Sequence, residues 1–426
     1  MLGDFKSVSK LVSDAKYPKM VKIRQHFPNN VIEDIEYEVR AQLSRPEMLD
    51  RIKPGMRIAI TAGSRGISNI ALIIKTVCAI VKEQGGIPYI IPAMGSHGGG
   101  TAQGQRNIIE SYGITEEYCQ AEIYSCMDVK HIGDTEDGDP VYIDRFAAES
   151  DGIIVIGRIK PHTDFRGPYE SGIMKMMVIG LGKQYGAEAF HASGPKHMAY
   201  QLPAYGKAIV KNSPVLFGLA IIENAYDETY KLTGMLAEEF ETMEPPLLNE
   251  AKQIMGRILF DSCDVLIVDY IGKDISGDGM DPNVTGTFST EYASGGIKAL
   301  KRVVLDITPA SHGCCVGVGM ADVATKRLFD KADFEAGYVN SLTCTMFAPS
   351  KIPLIIGTDK EAIGACLKYC GGNDKDNPRV IRITDTLHLG EIWISEAMLE
   401  EAKQNPQIEI MSEPKDFPFD ENGSLH

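Results

Sequence analysis

The chain reads as an α/β protein of two domains with mainly parallel sheets, and three observations carry that reading. Short β-branched runs alternate with stretches of helical length, as in Arg57–Thr61, Ile67–Lys82, Pro88–Ala93 and Gln103–Ser111, which is the strand–helix–strand order of a parallel sheet. Ile153–Ile156 is apolar without alternation, the mark of a buried strand. At 426 residues the chain exceeds the length at which one hydrophobic core stops growing, and 44% hydrophobic residues can fill two. We place the domains at residues 1–260 and 261–426, with the active-site cleft expected between them.

In order, Met20–Phe27 is expected as a strand, and Val31, Ile35, Val39 and Leu43 form one apolar helical face after Asn29-Asn30. Glu122–Cys126 and Pro140–Ile143 are further strands, with a turn at Asp137–Asp139. Helices are expected at Pro203–Lys211 and Leu247–Ile258, and the strands Val215–Ile222 and Thr229–Leu236 frame a turn at Asn224–Glu228. The second domain opens with the strand Val265–Tyr270 and the loop GKDISGDGMDPNVTG. Asp274, Ser276, Asp278 and Gly279 fit the first half of a calcium loop, but Thr285 stands where the twelfth-position glutamate is required, so an irregular loop is the reading. Strands at Arg302–Ile307, Pro353–Ile356, Val380–Ile383 and Gln407–Ile410 alternate with helices at Ala321–Lys331, Lys360–Leu367 and Glu396–Gln404. The polar end, Pro414–His426, is expected to be a loose tail.

Composition excludes several classes. A net charge of −15 argues against nucleic-acid or anionic-membrane partners, since both demand a basic footprint. Nine cysteines without a C-x-x-C pair do not form a disulfide framework or a structural zinc site. The N-terminal stretch DFKSVSKLVSDAK lacks a secretory apolar core and no run reaches membrane-spanning length, so a cytoplasmic location is expected.

The candidate site is Gly157–His191, which holds two histidines, three lysines and six glycines in 35 residues. His162 follows the buried strand, where catalytic loops of open α/β sheets sit. Ser171-Gly172, Gly180 and Gly182 point to a tight backbone approach that a Cβ would obstruct. Lys175, in an apolar setting, is either a snorkelling surface residue or a desolvated amine used as nucleophile or anchor. Upstream, Ala62-Gly63-Ser64-Arg65 and Gly95–Thr101 fall where strands end and helices begin, positions whose exposed amides bind anions. His97 in the second of these loops should open into the same crevice as His162.

The series His97, His162, Lys175 and His191, the last three standing 13 and 16 residues apart, resembles the lactate racemase family, whose enzymes carry a nickel-pincer nucleotide. The resemblance implies His97 and His162 as acid/base residues, Lys175 as the lysine joined to the cofactor through a thioamide, and His191 as the nickel ligand. It further implies that Ser64, Arg65, Gly98 and Thr101 hold the cofactor, with Arg65 also gripping an anionic substrate group, and that pincer-cofactor synthesis proteins are partners. There are departures. Ala62 replaces the aspartate that lactate-specific enzymes carry three residues before the arginine, and the second-domain lysine and tyrosine are replaced near Val284 and Met280. The expected substrate is therefore a small-molecule 2-hydroxy acid other than lactate, with Lys273 taking over carboxylate binding.

The implied reaction is racemisation or epimerisation through a planar 2-oxo acid, which needs a proton acceptor on each face and so explains a pair of histidines. Two other classes fit parts of the pattern. A zinc hydrolase could use His97, His162 and His191 as three ligands but leaves Lys175 unexplained, and a non-catalytic phosphate- or nucleotide-binding protein explains the glycine loops but not the histidines.

Overall fold

A computed structural model describes residues 5–371 and 374–425. The chain divides into two compact units, one of Asn29–Met255 and one that joins Met1–Pro28 to Gly256–His426. The expected first domain, residues 1–260, is thus corrected at its start. The cause is strand β1 (Met20–Gln25), which pairs antiparallel with Glu391–Ser395 on one side and Ile408–Ile410 on the other. Its end is fixed by buried Gln25, whose side-chain amide donates to Leu389 O at 2.7 Å and Arg257 O at 3.1 Å and accepts from Leu259 N at 2.7 Å. A fully buried amide with its polar atoms paired cannot leave that setting cheaply.

The unit Asn29–Met255 holds β2 (Arg57–Ala62), β3 (Ile87–Pro92), β4 (Glu122–Ile123), β5 (Val129–Asp134), β6 (Pro140–Asp144), β7 (Gly152–Arg158), β8 (Val215–Glu223) and β9 (Thr229–Leu236). Six form one sheet in the order β4-β3-β2-β7-β8-β9, parallel apart from the antiparallel pair β8–β9, and β5 with β6 makes a separate hairpin. Ile58, Ile60, Ile154, Ile156 and Leu219 pack on Ile73, Ile74, Val77 and Val81 of the helix Ile70–Glu83, giving a core with no polar side of its own. Strand β5 was not expected, because its residues are at most half-buried and show no apolar alternation. The helices expected from Pro203 and Leu247 begin earlier, at Pro195 and Phe240, with Pro195 in the first turn where its missing N–H costs nothing.

From β2 the chain crosses to β3 and β4 on one side, whereas from β7 it crosses to β8 on the other. The carboxyl ends of β2 and β7 therefore flank a topological switch point, the place where open α/β sheets form a ligand crevice.

The second unit adds β10 (Ser262–Ile271), β11 (Lys298–Ile307), β12 (Val323–Thr325), β13 (Leu354–Ile356), β14 (Val380–Ile383), β15 (Glu391–Ser395) and β16 (Ile408–Ile410). The order is β13-β12-β11-β10-β14-β15-β1-β16, parallel from β13 to β14 and antiparallel beyond. Two expectations fail here. Ala321–Lys331 is not one helix: the buried Val323–Thr325 pairs with β11, and the helix starts at Lys326, where Thr325 Oγ1 accepts Leu328 N–H at 3.1 Å as its cap. Nor is the described part of the tail loose, since Lys415 exchanges backbone bonds of 2.7 and 2.9 Å with Met20. Phe417 and Phe419 also stack on each other with centroids 5.3 Å apart beside Tyr17. Among the described residues no helix is long and apolar enough to cross a membrane.

Candidate active site

The loop after β7 is built around a buried carboxylate. Lys160 and Ser171 exchange two backbone bonds of 3.1 Å, closing residues 161–170 into a loop. Within it the fully buried Glu170 accepts His162 N–H at 2.7 Å, Gly167 N–H and Arg166 Nη1 at 3.4 Å, and Lys252 Nζ at 2.6 Å. Two cations and two amides give this buried carboxylate the partners that offset its desolvation. Arg166 Nη1 also donates to His162 O at 2.6 Å, so the main chain of His162 is gripped at both its N–H and its carbonyl.

The His162 ring lies against Phe165 with centroids 4.5 Å apart, and its side chain is 11% exposed. Its Nδ1 accepts Asp164 N–H at 3.1 Å and stands 3.6 Å from Asp164 Oδ2, while Nε2 is 2.7 Å from Lys175 Nζ. Burial, reinforced by the positive charge a protonated Lys175 would bring, holds the imidazole well below its ordinary pKa. It is neutral where an unperturbed histidine would begin to charge.

Lys175 ends a helical turn, Ile173–Lys175, that continues as a single π turn through Met176–Gly180, a local form frequent at functional sites. Glu244 closes its N-terminal end. Glu244 Oε2 accepts Met174 N–H at 3.1 Å, and Oε1 is buried without a hydrogen-bond partner among the described residues. Burial pushes this carboxyl up to about 8, so at neutral pH it is mostly the uncharged acid. A Cβ on Gly172 would lie 2.1 Å from Glu244 Oε1, which is why glycine occupies that position. Likewise a Cβ on Gly180 would lie 2.8 Å from Ala93 O, and Gly95 N donates to Gly180 O at 3.2 Å. The close approach read from these glycines brings the Lys175 segment against the loop after β3, and Gly63, whose Cβ would meet Met176 Cε at 2.9 Å, brings it against the loop after β2.

His191 ends the helix Lys183–His191, and its Nδ1 donates to Ala187 O at 2.7 Å. A carbonyl can only accept, so neutral His191 carries its proton on Nδ1 and its lone pair on Nε2, the form a metal ligand requires. Burial lowers its pKa, and charge on Lys175 lowers it further. His162, Lys175 and His191 thus act on one another electrostatically.

The loop after β3 carries His97 and then Gly98, Gly99 and Gly100, whose φ values of 69°, 66° and 63° explain the glycine run. Thr101 Oγ1 accepts Gly104 N–H at 3.1 Å as the cap of the helix Ala102–Ser111 and donates to Gly98 O at 3.0 Å. In the loop after β2, Ser64 O accepts from Tyr112 Oη at 2.9 Å, and the charges of Arg65 and Arg158 both pull the Tyr112 pKa downward against the larger effect of burial. Lys273 belongs to the other unit, in the loop after β10, where Nζ donates to Gly277 O at 2.5 Å and Asn340 Oδ1 at 3.0 Å.

Three residues that hold the site escaped sequence reading: Glu170, Glu244 and Lys183. Lys183 is fully buried in a left-handed conformation (φ 53°), with Nζ donating to Pro92 O and to Gln105 Oε1 at 3.0 Å and paired with Asp144 Oδ2 at 3.0 Å. It pins the end of β3, the helix after it and β6 together. Its only sequence signal was its place between Gly182 and an amphipathic stretch. Among the described residues no three His, Cys, Asp or Glu side chains come together as a metal-holding group, so the three-histidine zinc reading has no donor set.

The site is therefore an α/β fold with His162 2.7 Å from a half-buried Lys175, following a strand at the sheet switch point, and comparison makes that class more specific. Residues 12–199 match the family model described as the lactate racemase N-terminal domain. Among solved structures, the lactate racemase apoprotein from Thermoanaerobacterium thermosaccharolyticum is similar in fold, with a TM-score of 0.51 at 13% identity over 87% of this chain and 99% of that one. No curated protein sequence is matched. The matched stretch, residues 12–199, holds His97, His162, Lys175 and His191.

Proposed function

We propose that the protein is an isomerase, a racemase or epimerase of a 2-hydroxy acid other than lactate, dependent on a nickel-pincer nucleotide joined to Lys175. The observation that carries this reading is the 2.7 Å contact between Lys175 Nζ and Nε2 of His162, whose loop backbone is fixed by buried Glu170. A surface lysine needs no such setting.

The residues fit the group. Lys175 offers a primary amine for acylation, and His191 offers an imidazole nitrogen whose tautomer is set by Ala187 O, a donor suited to nickel. With one protein imidazole rather than three, the remaining donors would come from the sulfurs and ring carbon of the nucleotide. When bound, the group supplies the hydride acceptor. Ser64, Arg65, Gly98 and Thr101 are the proposed phosphate and anion contacts at the edges of the same crevice, with Thr101 giving backbone geometry more than its engaged hydroxyl. His162, neutral through burial, takes the substrate hydroxyl proton, and His97 serves the opposite face. Arg65 holds the substrate carboxylate.

The test is expression together with pincer-cofactor synthesis proteins, followed by peptide mass spectrometry. A nucleotide-sized adduct on Lys175, absent from Lys175→Ala, is expected. Unmodified Lys175 in active enzyme overturns the proposal. His191→Ala should keep the adduct and lose nickel.

A further inference from the structure

We infer that Lys183 is a positioning residue for His97, acting through Gln105 to hold the loop after β3 in register with the segment that carries Lys175 and His191; this rests on the reading of His97 as an acid/base group. Lys183 opens the helix that ends at His191 and does so in the left-handed region, at φ 53°, which residues with a Cβ seldom visit. Such a conformation persists where the surrounding structure over-determines it. The side chain is fully buried, and Nζ meets three acceptors: Pro92 O, Gln105 Oε1 at 3.0 Å and Asp144 Oδ2 at 3.0 Å. An ammonium has three N–H groups and no lone pair, so every one has a partner and the carboxylate balances the charge.

The cation fixes what lies beyond it. Gln105 is also fully buried, and a glutamine amide has an oxygen that accepts on one side and an NH2 that donates on the other. Lys183 can only donate, so Oε1 must face it and the NH2 must face away. The two N–H groups of Nε2 then meet Gly95 O at 2.8 Å and His97 O at 3.3 Å. Reversed, the amide would set donors against the ammonium and an oxygen against two carbonyls. Asp144, Lys183, Gln105 and the carbonyls of Gly95 and His97 therefore form one polar chain with a single direction. An ion pair that served β6 alone would end at Asp144; this one continues to the main chain of His97.

The consequence is registration. His97 lies on one loop, whereas Lys175 and His191 lie on one continuous segment, and the buried cation between Lys175 and His191 in sequence is tied to that loop. Other contacts agree: Gly95 N donates to Gly180 O at 3.2 Å, and a Cβ on Gly100 would collide with the side-chain amide of Gln184. Without the relay, the backbone that carries His97 loses its fixed relation to the anchor lysine.

The experiment centres on Gln105→Glu in the full chain. Glutamate keeps the side chain's length and its bond to Lys183 but offers oxygen where Gly95 O and His97 O need N–H. In unloaded protein, hydrogen–deuterium exchange read by mass spectrometry should be about tenfold faster or more in peptides spanning residues 94–104, with peptides of β2 and β7 unchanged. Equal rates over 94–104 overturn the inference. Lys183→Met should release the same peptides, and parent-like protection there removes Lys183; if that variant does not fold, Lys183→Met/Asp144→Asn, which takes away both buried charges, gives the same reading. In cofactor-loaded protein, Gln105→Glu should keep the Lys175 adduct and the nickel content, hold KM within about threefold and lower kcat at least about tenfold towards that of His97→Ala. The deciding comparison is Gln105→Glu/His97→Ala, which should be no slower than His97→Ala, because a residue that acts through His97 has nothing left to act on. A further loss in the double variant shows a general structural role and overturns the inference. Full activity in His97→Ala overturns the acid/base reading instead, while the exchange rates, taken without cofactor, still decide whether the relay holds the loop.

Discussion

Each unit has a mixed sheet that the chain leaves in opposite directions from a central parallel pair, β2 and β7 in one and β10 and β14 in the other, yet the loops after the two pairs have opposite chemistry. After β7 the buried carboxylates stand behind the loop: Glu170 and Glu244 bind backbone amides, and an imidazole and an amine are presented in front of them. After β10 and β14 the carboxylates are themselves the loop's scaffolding. Asp274 Oδ1 accepts from Thr308 Oγ1 at 2.5 Å and Ser311 Oγ at 2.9 Å, and Asp385 accepts from Leu387 N at 2.7 Å, His388 N at 2.9 Å and His388 Nδ1 at 2.7 Å. Topology supplies a crevice in both cases; the allocation of donors decides which side chains the crevice presents.

The comparison breaks most sharply at the histidines. His162→Ala and His97→Ala should each retain the nucleotide adduct but lower kcat by about two to four orders of magnitude, the usual cost of a lost general base. Steady-state rates on loaded protein check this, and full activity in either variant removes that residue from the mechanism. Glu170→Ala strips two cations and two amides of their buried partner, so a loss of about 3–5 kcal/mol in stability is expected. Denaturant titration should show it as a lower midpoint, and a midpoint equal to that of the parent would mean that the loop is held by something else.

Glu244 gives a pH signature. Its folded pKa of about 8 lies above the carboxyl's ordinary 4.5, so the folded state binds more protons over that interval and stability falls as pH rises through it. The slope contributed is at most about 1.4 kcal/mol per pH unit, and it vanishes above the folded value. Melting temperatures of Glu244→Gln should therefore change less between pH 5 and pH 8 than those of the parent; parallel curves would show that Glu244 is charged throughout. The smallest effect is expected at Lys273, whose amine already has Gly277 O and Asn340 Oδ1. Lys273→Ala should raise KM by less than about tenfold, the worth of one polar contact. A collapse of kcat would instead put Lys273 in the chemistry.

What the sequence revealed and what it hid divide along physical lines. The strands β2, β3, β7 and β10 were legible because an apolar run of fixed length between helical stretches permits little else, and the glycines at 172, 180 and 182 announced a close approach that the structure contains. The contact of His162 with Lys175 joins positions read as candidates. Glu170, Glu244 and Lys183 were illegible, because a buried charge looks like any surface charge until its partners, Lys252, Met174 N–H and Asp144, arrive from distant parts of the chain. Strand β12 was hidden for a related reason: three residues are too few to show a period, and Val323–Thr325 runs into a real helix. The tail misled because its polar composition masked Phe417 and Phe419, two rings that decide its packing.

Strand β1 has a consequence for how the protein is made. During synthesis the unit Asn29–Met255 is continuous and can fold as it emerges, but β1 precedes it and its two neighbours, β15 and β16, are translated only after it. An apolar strand carrying Val21 and Ile23 must therefore wait unpaired while the unit Asn29–Met255 and strands β10–β14 are built, which is the period in which edge-to-edge association is a hazard. Lys22 and Arg24, alternating with those two residues, put positive charge along the waiting strand, and in the finished protein the same two side chains meet Glu391 on the strand that ends the wait.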